Sequence, residues 1–378
     1  MTARIEPFRA IAISELAHRL KAEGQPVIHM EFGQPSTGAP QAAIQTAHAV
    51  LDGDAMGYWE SGALRDRIAR HYHDRYSVDV TPERVILTAG ASPALLLSML
   101  AGFEPGARIA MARPGYVAYR NTARALHLEP CEMDCGPHTR FQLSAQMIGA
   151  MDPVPDGVLI ASPANPTGTI LPPEKVEAIA SVCRTRGIRI ISDEIYHGLS
   201  YGAPATSVLE FDDGAFIVNS FSKCYSMVGW RLGWLIAPAD KADLVRAYRG
   251  NLFLTPPSLS QHAALTAMDC DAELESHVET YRANRALLLE TLPRLGLTSI
   301  APPDGAFYIW ADISHLTDDS MAFCERLLRE TYVAAAPGVD FDPVNGHRFM
   351  RFSFAVSTPE VIEALKRMEP WFAGLAMR

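Results

Sequence analysis

Ile188-Arg189-Ile190-Ile191-Ser192-Asp193-Glu194-Ile195-Tyr196 decides the fold class. Residues 188–191 form a short isoleucine-rich run, interrupted only by Arg189. A strand buried on both faces of a sheet reads this way. The chain then turns at once to charged and polar residues. The same switch recurs three times. Residues 158–161 lead into Ser162-Pro163-Ala164-Asn165-Pro166-Thr167-Gly168, residues 216–218 into Asn219-Ser220-Phe221-Ser222-Lys223, and residues 85–87 into Thr88-Ala89-Gly90-Ala91-Ser92. Residues 108–111 and 232–236 read as further strands.

Helical stretches separate these runs. Ser92-Pro93 reads as an N-cap followed by a proline at the first helical position. Pro172-Pro173-Glu174 opens another helix, which runs to about Arg186-Gly187, where the glycine suits the C-terminal cap. Alternating strands and helices predict an α/β fold, a three-layer α/β/α large domain with a mostly parallel sheet. A helix over residues 273–292 leads out of it. After Leu295 the texture changes. Short strands over 306–310 and 349–354 mix with helices over 320–330 and 359–368, as in a smaller α+β domain. The expected division is an N-terminal segment, 1–40, packing with the small domain, a large domain, 41–285, and a C-terminal small domain, 286–378.

The 378 residues suit two domains, and 48% hydrophobic with 20% charged residues suits a globular chain. A net charge of -10, with no Lys/Arg run to reverse it locally, argues against nucleic acid and anionic membranes as partners. Met1-Thr2-Ala3-Arg4-Ile5-Glu6-Pro7 has no apolar region of a secretory signal. No apolar stretch approaches the roughly 18 residues of a membrane span. Cys131, Cys135, Cys183, Cys224, Cys270 and Cys324 are scattered and form no disulfide framework, so free thiols in a cytoplasmic protein are expected. Cys131 and Cys135 with His138 match no zinc spacing, and no metal is expected.

Ligands of an open parallel sheet bind beyond the carboxyl ends of its strands, so the four polar clusters converge if the runs are parallel. Gly90-Ala91-Ser92-Pro93 offers free backbone N–H groups at a helix start, an anion site suited to phosphate. Ser220, Ser222 and Arg231 add hydroxyls and a fixed positive charge. Asp193 follows an apolar strand, and a buried carboxylate needs a partner. A protonated ring nitrogen would serve, and so would a helix cap or an internal ion pair. Lys223 lies in a tight polar loop. Near a phosphate and an aromatic cofactor it would form a Schiff base; alone it would read as a solvated lysine.

Asn165-Pro166-Thr167-Gly168, Ser192-Asp193-Glu194-Ile195-Tyr196, Ser220-Phe221-Ser222-Lys223 with Arg231 eight residues later, and Arg351 in Arg348-Phe349-Met350-Arg351-Phe352-Ser353-Phe354 form an ordered set. From about Gly33 to Arg351 the chain resembles the class I/II aminotransferases of pyridoxal-phosphate fold type I, the aspartate aminotransferase-like proteins. The resemblance implies pyridoxal 5'-phosphate as cofactor, carried by Lys223, which then moves the substrate's α-proton. It implies that Asp193 keeps the pyridine nitrogen protonated. Asn165 and Tyr196 would bond the phenolic oxygen, and Tyr116 would stack on the ring. Ala91, Ser92, Ser220, Ser222 and Arg231 would hold the phosphate. Arg351 would grip the substrate carboxylate in a two-pronged contact, with the Gly33 N–H beside it. Tyr58 resembles a tyrosine that reaches the partner's phosphate across a homodimer, although the stretch from Tyr58 to Leu64-Arg65 is shorter than usual. Gln34, where many relatives are acidic, and Cys224-Tyr225-Ser226-Met227-Val228-Gly229-Trp230 are further departures.

The expected activity is transamination between an L-amino acid and a 2-oxo acid, with ping-pong kinetics. Another reaction on the same cofactor, such as C–S β-elimination, and a non-catalytic sensor of the same fold are the alternatives. No Gly-x-Gly-x-x-Gly follows a predicted strand, which argues against a nicotinamide dehydrogenase. A dicarboxylic substrate would need a second cation, for which Arg113, Arg246 and Arg249 are available. Phe307 and Tyr308 would line a pocket for apolar or aromatic side chains.

Overall fold

In the computed structural model the described residues are 5, 7 and 9–376. Of residues 1–7, read above for a secretory signal, only 5 and 7 are among them. No helix among the described residues is long and apolar enough to cross a membrane.

The strands are β1 (Ile28–Met30), β2 (Val85–Thr88), β3 (Arg108–Arg113), β4 (Glu129–Asp134), β5 (Gly157–Ala161), β6 (Arg189–Asp193), β7 (Phe216–Ser220), β8 (Gly233–Ile236), β9 (Tyr308–Asp312), β10 (Val333–Pro337) and β11 (Phe349–Ser353). They form a seven-stranded sheet, ordered β2-β8-β7-β6-β5-β3-β4, and a four-stranded sheet, ordered β1-β10-β11-β9.

The three layers of the large sheet follow from its strand composition. Successive side chains point to opposite faces, so a strand that is apolar throughout packs on both. Val158 and Ile160, Ile190, Ile217, and Trp234 with Ile236 join one core, with Ile68, Tyr72, Val176 and Ala264. Leu159, Ile191, Val218 and Leu235 join the opposite core, with Leu95, Leu97, Ala123 and Val245. The helices supplying those partners span Gly62–Tyr76, Pro173–Arg186 and Ser258–Ala267 on one side, and Ala91–Gly102, Val117–Ala125 and Ala242–Leu252 on the other. Gly187 caps the helix Pro173–Arg186 in the left-handed conformation, as expected.

β3 to β7 pair in parallel, whereas β8 runs antiparallel to both β7 and β2. The connection over residues 221–232 holds no α-helix, and a return without a crossover reverses direction. β2 therefore points the same way as β3 to β7, and their carboxyl ends share one rim. β8 begins at that rim, which brings Arg231 to it.

Several details differ from the sequence reading. The helix at Ala91 has Gly90, at φ +98°, as its N-cap, with no side-chain cap, so Ser92 lies inside the first turn. β4 is an edge strand with no fully buried position, and its polar sequence hides it. β1 has three residues, and β10 is an alanine run that carries no strand signature by itself. β1 pairs in parallel with β10. The long helix spans Asp271–Thr291, and the last helix runs Thr358–Ala376, past Pro370.

Candidate active site

A cavity of about 390 Å³ opens at the rim, in the size range of small-molecule sites. Gly33, Ala91, Ser92, Tyr116, Asn165, Asp193, Tyr196, Ser222, Lys223, Arg231 and Arg351 all line it. Seven separate stretches of chain supply them. The ends of β6 and β7 bring Asp193 and Lys223, the helix at Ala91 brings Ser92, and the strand β11 brings Arg351 from the other sheet.

One end of the cavity is built for an anion. The helix Ala91–Gly102 presents its N-terminus, where the first N–H groups have no partner within the helix. Arg231 stands beside it, its Nη2 3.2 Å from the Ala89 carbonyl and its Nη1 3.1 Å from that of Val228. A Cβ at Gly90 would meet Arg231 Nη2 at 2.6 Å, so only glycine lets the guanidinium reach this place. Ser222 lines the cavity. Ser220 does not line it; its hydroxyl lies 2.9 Å from Ser222 Oγ and 2.9 Å from the Leu232 carbonyl, and so braces the loop from behind.

Asp193 sits deeper and is buried. Its Oδ2 accepts from Tyr119 Oη at 2.6 Å and its Oδ1 from the Ile195 N–H at 3.1 Å. Burial pushes its carboxyl up, against the pull of those two bonds and of the Lys223 charge. Such a carboxylate suits a cationic partner inside the cavity. Lys223 Nζ donates to the Gly33 carbonyl at 2.6 Å. Burial first, then Arg351 and Arg231, push its amine down to about 8, against Asp193.

Arg351 is 4% exposed. Its guanidinium lies between the rings of Tyr308 and Phe341, 4.3 and 4.6 Å from their centroids. Nη1 donates to Asn165 Oδ1 at 2.8 Å, and Nη2 donates to the Glu31 carbonyl. Tyr196 Oη is 2.7 Å from Tyr308 Oη. Tyr116 lines the wall with its ring edge-on to Tyr119, at 5.5 Å. A helix N-terminus with Arg231 and Ser222, a buried carboxylate, an aromatic wall and a lysine amine are groups that would suit a phosphorylated pyridine bearing an aldehyde.

Tyr58 lies outside this cavity. It is 85% exposed, on a loop that flanks a separate cleft with Thr255, Pro256 and Leu259. Arg113 pairs with Asp134 and Asp342, Arg246 with Asp243, and Arg249 with Glu60, so all three point elsewhere. Tyr308 lines the cavity, whereas Phe307 does not; it packs in the core of the small sheet. Tyr119 was missed by sequence reasoning. Its signal was the spacing of three residues from Tyr116, one turn of helix. Cys131 lies on β4 and Cys135 just beyond it. Among the described residues no group of three or more His, Cys, Asp or Glu is placed to hold a metal.

The family described as aminotransferase class I and II matches residues 25–368. The chain is 46% identical to a valine–pyruvate aminotransferase of Mycobacterium tuberculosis, over 98% of this chain and 97% of that protein. It is 31% identical to an aspartate aminotransferase of Thermotoga maritima, over 98% of each. The crystal structure of an aminotransferase from Mycobacterium tuberculosis superposes with a TM-score of 0.96 at 45% identity, covering 99% of this chain and 98% of that one. Fold and sequence agree: the chain is a transferase enzyme belonging to the aminotransferase class I and II family.

Proposed function

We propose that this enzyme moves the amine of an L-amino acid with an uncharged side chain onto a small 2-oxo acid, with pyridoxal 5'-phosphate held by Lys223. The observation that carries the substrate class is the charge inventory of the cavity. Lys223, Arg231 and Arg351 line it with Asp193 and, among the described residues, no other lysine, arginine or histidine does so. Arg231 belongs to the anion end and Arg351 to the substrate carboxylate. The chain itself then offers no cation for a second carboxylate. Phe32, Leu95, Val228 and Tyr308 supply apolar surface instead. The valine–pyruvate activity named for the relative at 46% identity supports this reading.

When bound, pyridoxal phosphate supplies an electron sink for the substrate's α-carbon. The protein's residues do the rest. Arg351, fixed between two rings, presents a planar donor pair to the carboxylate and so orients the amino acid. Asp193 would stabilise a proton on the ring nitrogen. Lys223, its amine pushed down to about 8, takes the proton from the substrate Cα and holds it. Ala91, Ser92, Ser222 and Arg231 would anchor the phosphate, with Ser220 supporting Ser222. Asn165 and Tyr196 would bond the ring oxygen, and Tyr116 would cover the ring. One carboxylate grip serves both substrates, so the first product leaves before the second substrate enters, which gives ping-pong kinetics.

The active unit we infer is a homodimer in which Tyr58 reaches the partner's phosphate; its exposure and its place outside its own cavity support this. A cytoplasmic location fits six cysteines that are all free. Mixing the loaded enzyme with single amino acids and following the cofactor's absorbance tests the substrate class. Valine, alanine and similar donors should convert it to the amine form. Faster conversion by aspartate or glutamate would contradict the reading, and pyruvate with ammonia from a cysteine-type substrate would instead favour elimination.

A further inference from the structure

Two donors hold the Asp193 carboxylate. The Ile195 N–H belongs to the same turn and comes with the backbone. Tyr119 comes from 74 residues away, on the helix Val117–Ala125, with its Oη 2.6 Å from Oδ2. The tyrosine is 6% exposed, and its ring backs that of Tyr116 at 5.5 Å, edge-on. A carboxylate has no proton to give, so the phenol is the donor. Burial and Asp193 push the phenol's own pKa well up, so it keeps that proton at any working pH.

We propose that Tyr119 is a positioning residue for Asp193: its hydroxyl orients the carboxylate and keeps it ionised toward the cofactor's ring nitrogen, while its ring supports Tyr116. The proposal rests on the reading that Asp193 meets that nitrogen. Removing one oxygen leaves the packing and withdraws the charge-assisted bond, which makes ionised Asp193 costlier. The titratable groups facing Asp193 are Tyr119 and Tyr116 from their helix, Lys223 from the loop after β7, and the adjacent Glu194.

The test uses Tyr119→Phe, and 3-fluorotyrosine at position 119, which keeps the hydroxyl and makes it a stronger donor. Two quantities are read: the equilibrium affinity of the cofactor-free protein for pyridoxal phosphate, and the pH midpoint of the bound cofactor's visible absorbance. In Tyr119→Phe the affinity should fall about tenfold, the scale of a bond to a charged group. The midpoint should rise, because a less firmly protonated ring nitrogen withdraws less from the Lys223 nitrogen. Fluorotyrosine should move the midpoint down. A packing role alone would change the melting temperature and neither reading. Normal cofactor uptake by the wild-type protein with no midpoint shift in either variant overturns the Tyr119 proposal alone. A wild-type protein that takes up no pyridoxal phosphate overturns it together with the reading of the site.

Discussion

Lys223 Nζ and the Gly33 carbonyl are 2.6 Å apart, across 190 residues of sequence. The bond ties the segment after β1, in the small sheet, to the loop after β7, in the large one. Arg351 donates to the carbonyl of Glu31 in the same segment. Residues 32–34 line one wall of the cavity, and two of its three cations, Lys223 and Arg351, hold that segment.

Gly33 has no room for a side chain. A Cβ there would sit 1.7 Å from Tyr308 Oη, so either the segment or the tyrosine must move. Gly33→Ala should lower kcat/KM roughly 100-fold, the cost of misplacing a reacting group by about 1 Å. Steady-state kinetics check this, with circular dichroism to show the fold intact.

Arg351→Lys replaces a plane held between two rings with a point charge. The carboxylate loses its paired donors. KM for the amino acid should rise about tenfold or more, with a lower kcat. Unchanged kinetics would remove Arg351 from the site.

The Lys223 amine is pushed down to about 8, and only its neutral form attacks an aldehyde. The sign follows: lowering the pKa raises the neutral fraction. At pH 8 about half is neutral, against roughly one part in 300 for a lysine at its ordinary value. The rate of pyridoxal phosphate capture by the cofactor-free protein should therefore climb with pH, with a midpoint near 8, then level. Stopped-flow absorbance measures it, and a midpoint near that of a free lysine would contradict the prediction.

Glu194, next to Asp193, is buried and accepts bonds from Ser192, Ser207 and the Val208 N–H. Burial pushes its carboxyl up to about 8. Between its unfolded value and about 8 the folded protein holds a proton that the unfolded chain has released. This group's contribution to stability is present in full below the unfolded pKa and is lost as pH rises to 8. Glu194→Gln should remove that slope. Urea melts at pH 5 and pH 8 should show the wild type losing ground to the variant at the higher pH.

The rim of the large sheet was legible because strands 158–161, 188–191 and 216–218 are apolar on both faces and polar only at their ends. That contrast marks both burial and site. The reversal of β8 was not legible, since direction depends on the connection and not on Gly233–Ile236 itself. β4 escaped because an edge strand need not be apolar. Tyr119 escaped because a buried tyrosine reads as core until its carboxylate partner is placed. Arg113, Arg246 and Arg249 looked equally available for a second carboxylate. Their ion pairs remove them, and the pairs that hold Arg113 and Arg249 are made by side chains distant in sequence.

The central claim is a single covalent link through the Lys223 amine. Borohydride reduction of the cofactor-loaded enzyme, followed by peptide mass mapping, tests it most directly. The label should fall on Lys223 and disappear in Lys223→Ala together with turnover, while the fold persists. A label on another side chain, or a loaded enzyme that acquires none, would contradict it.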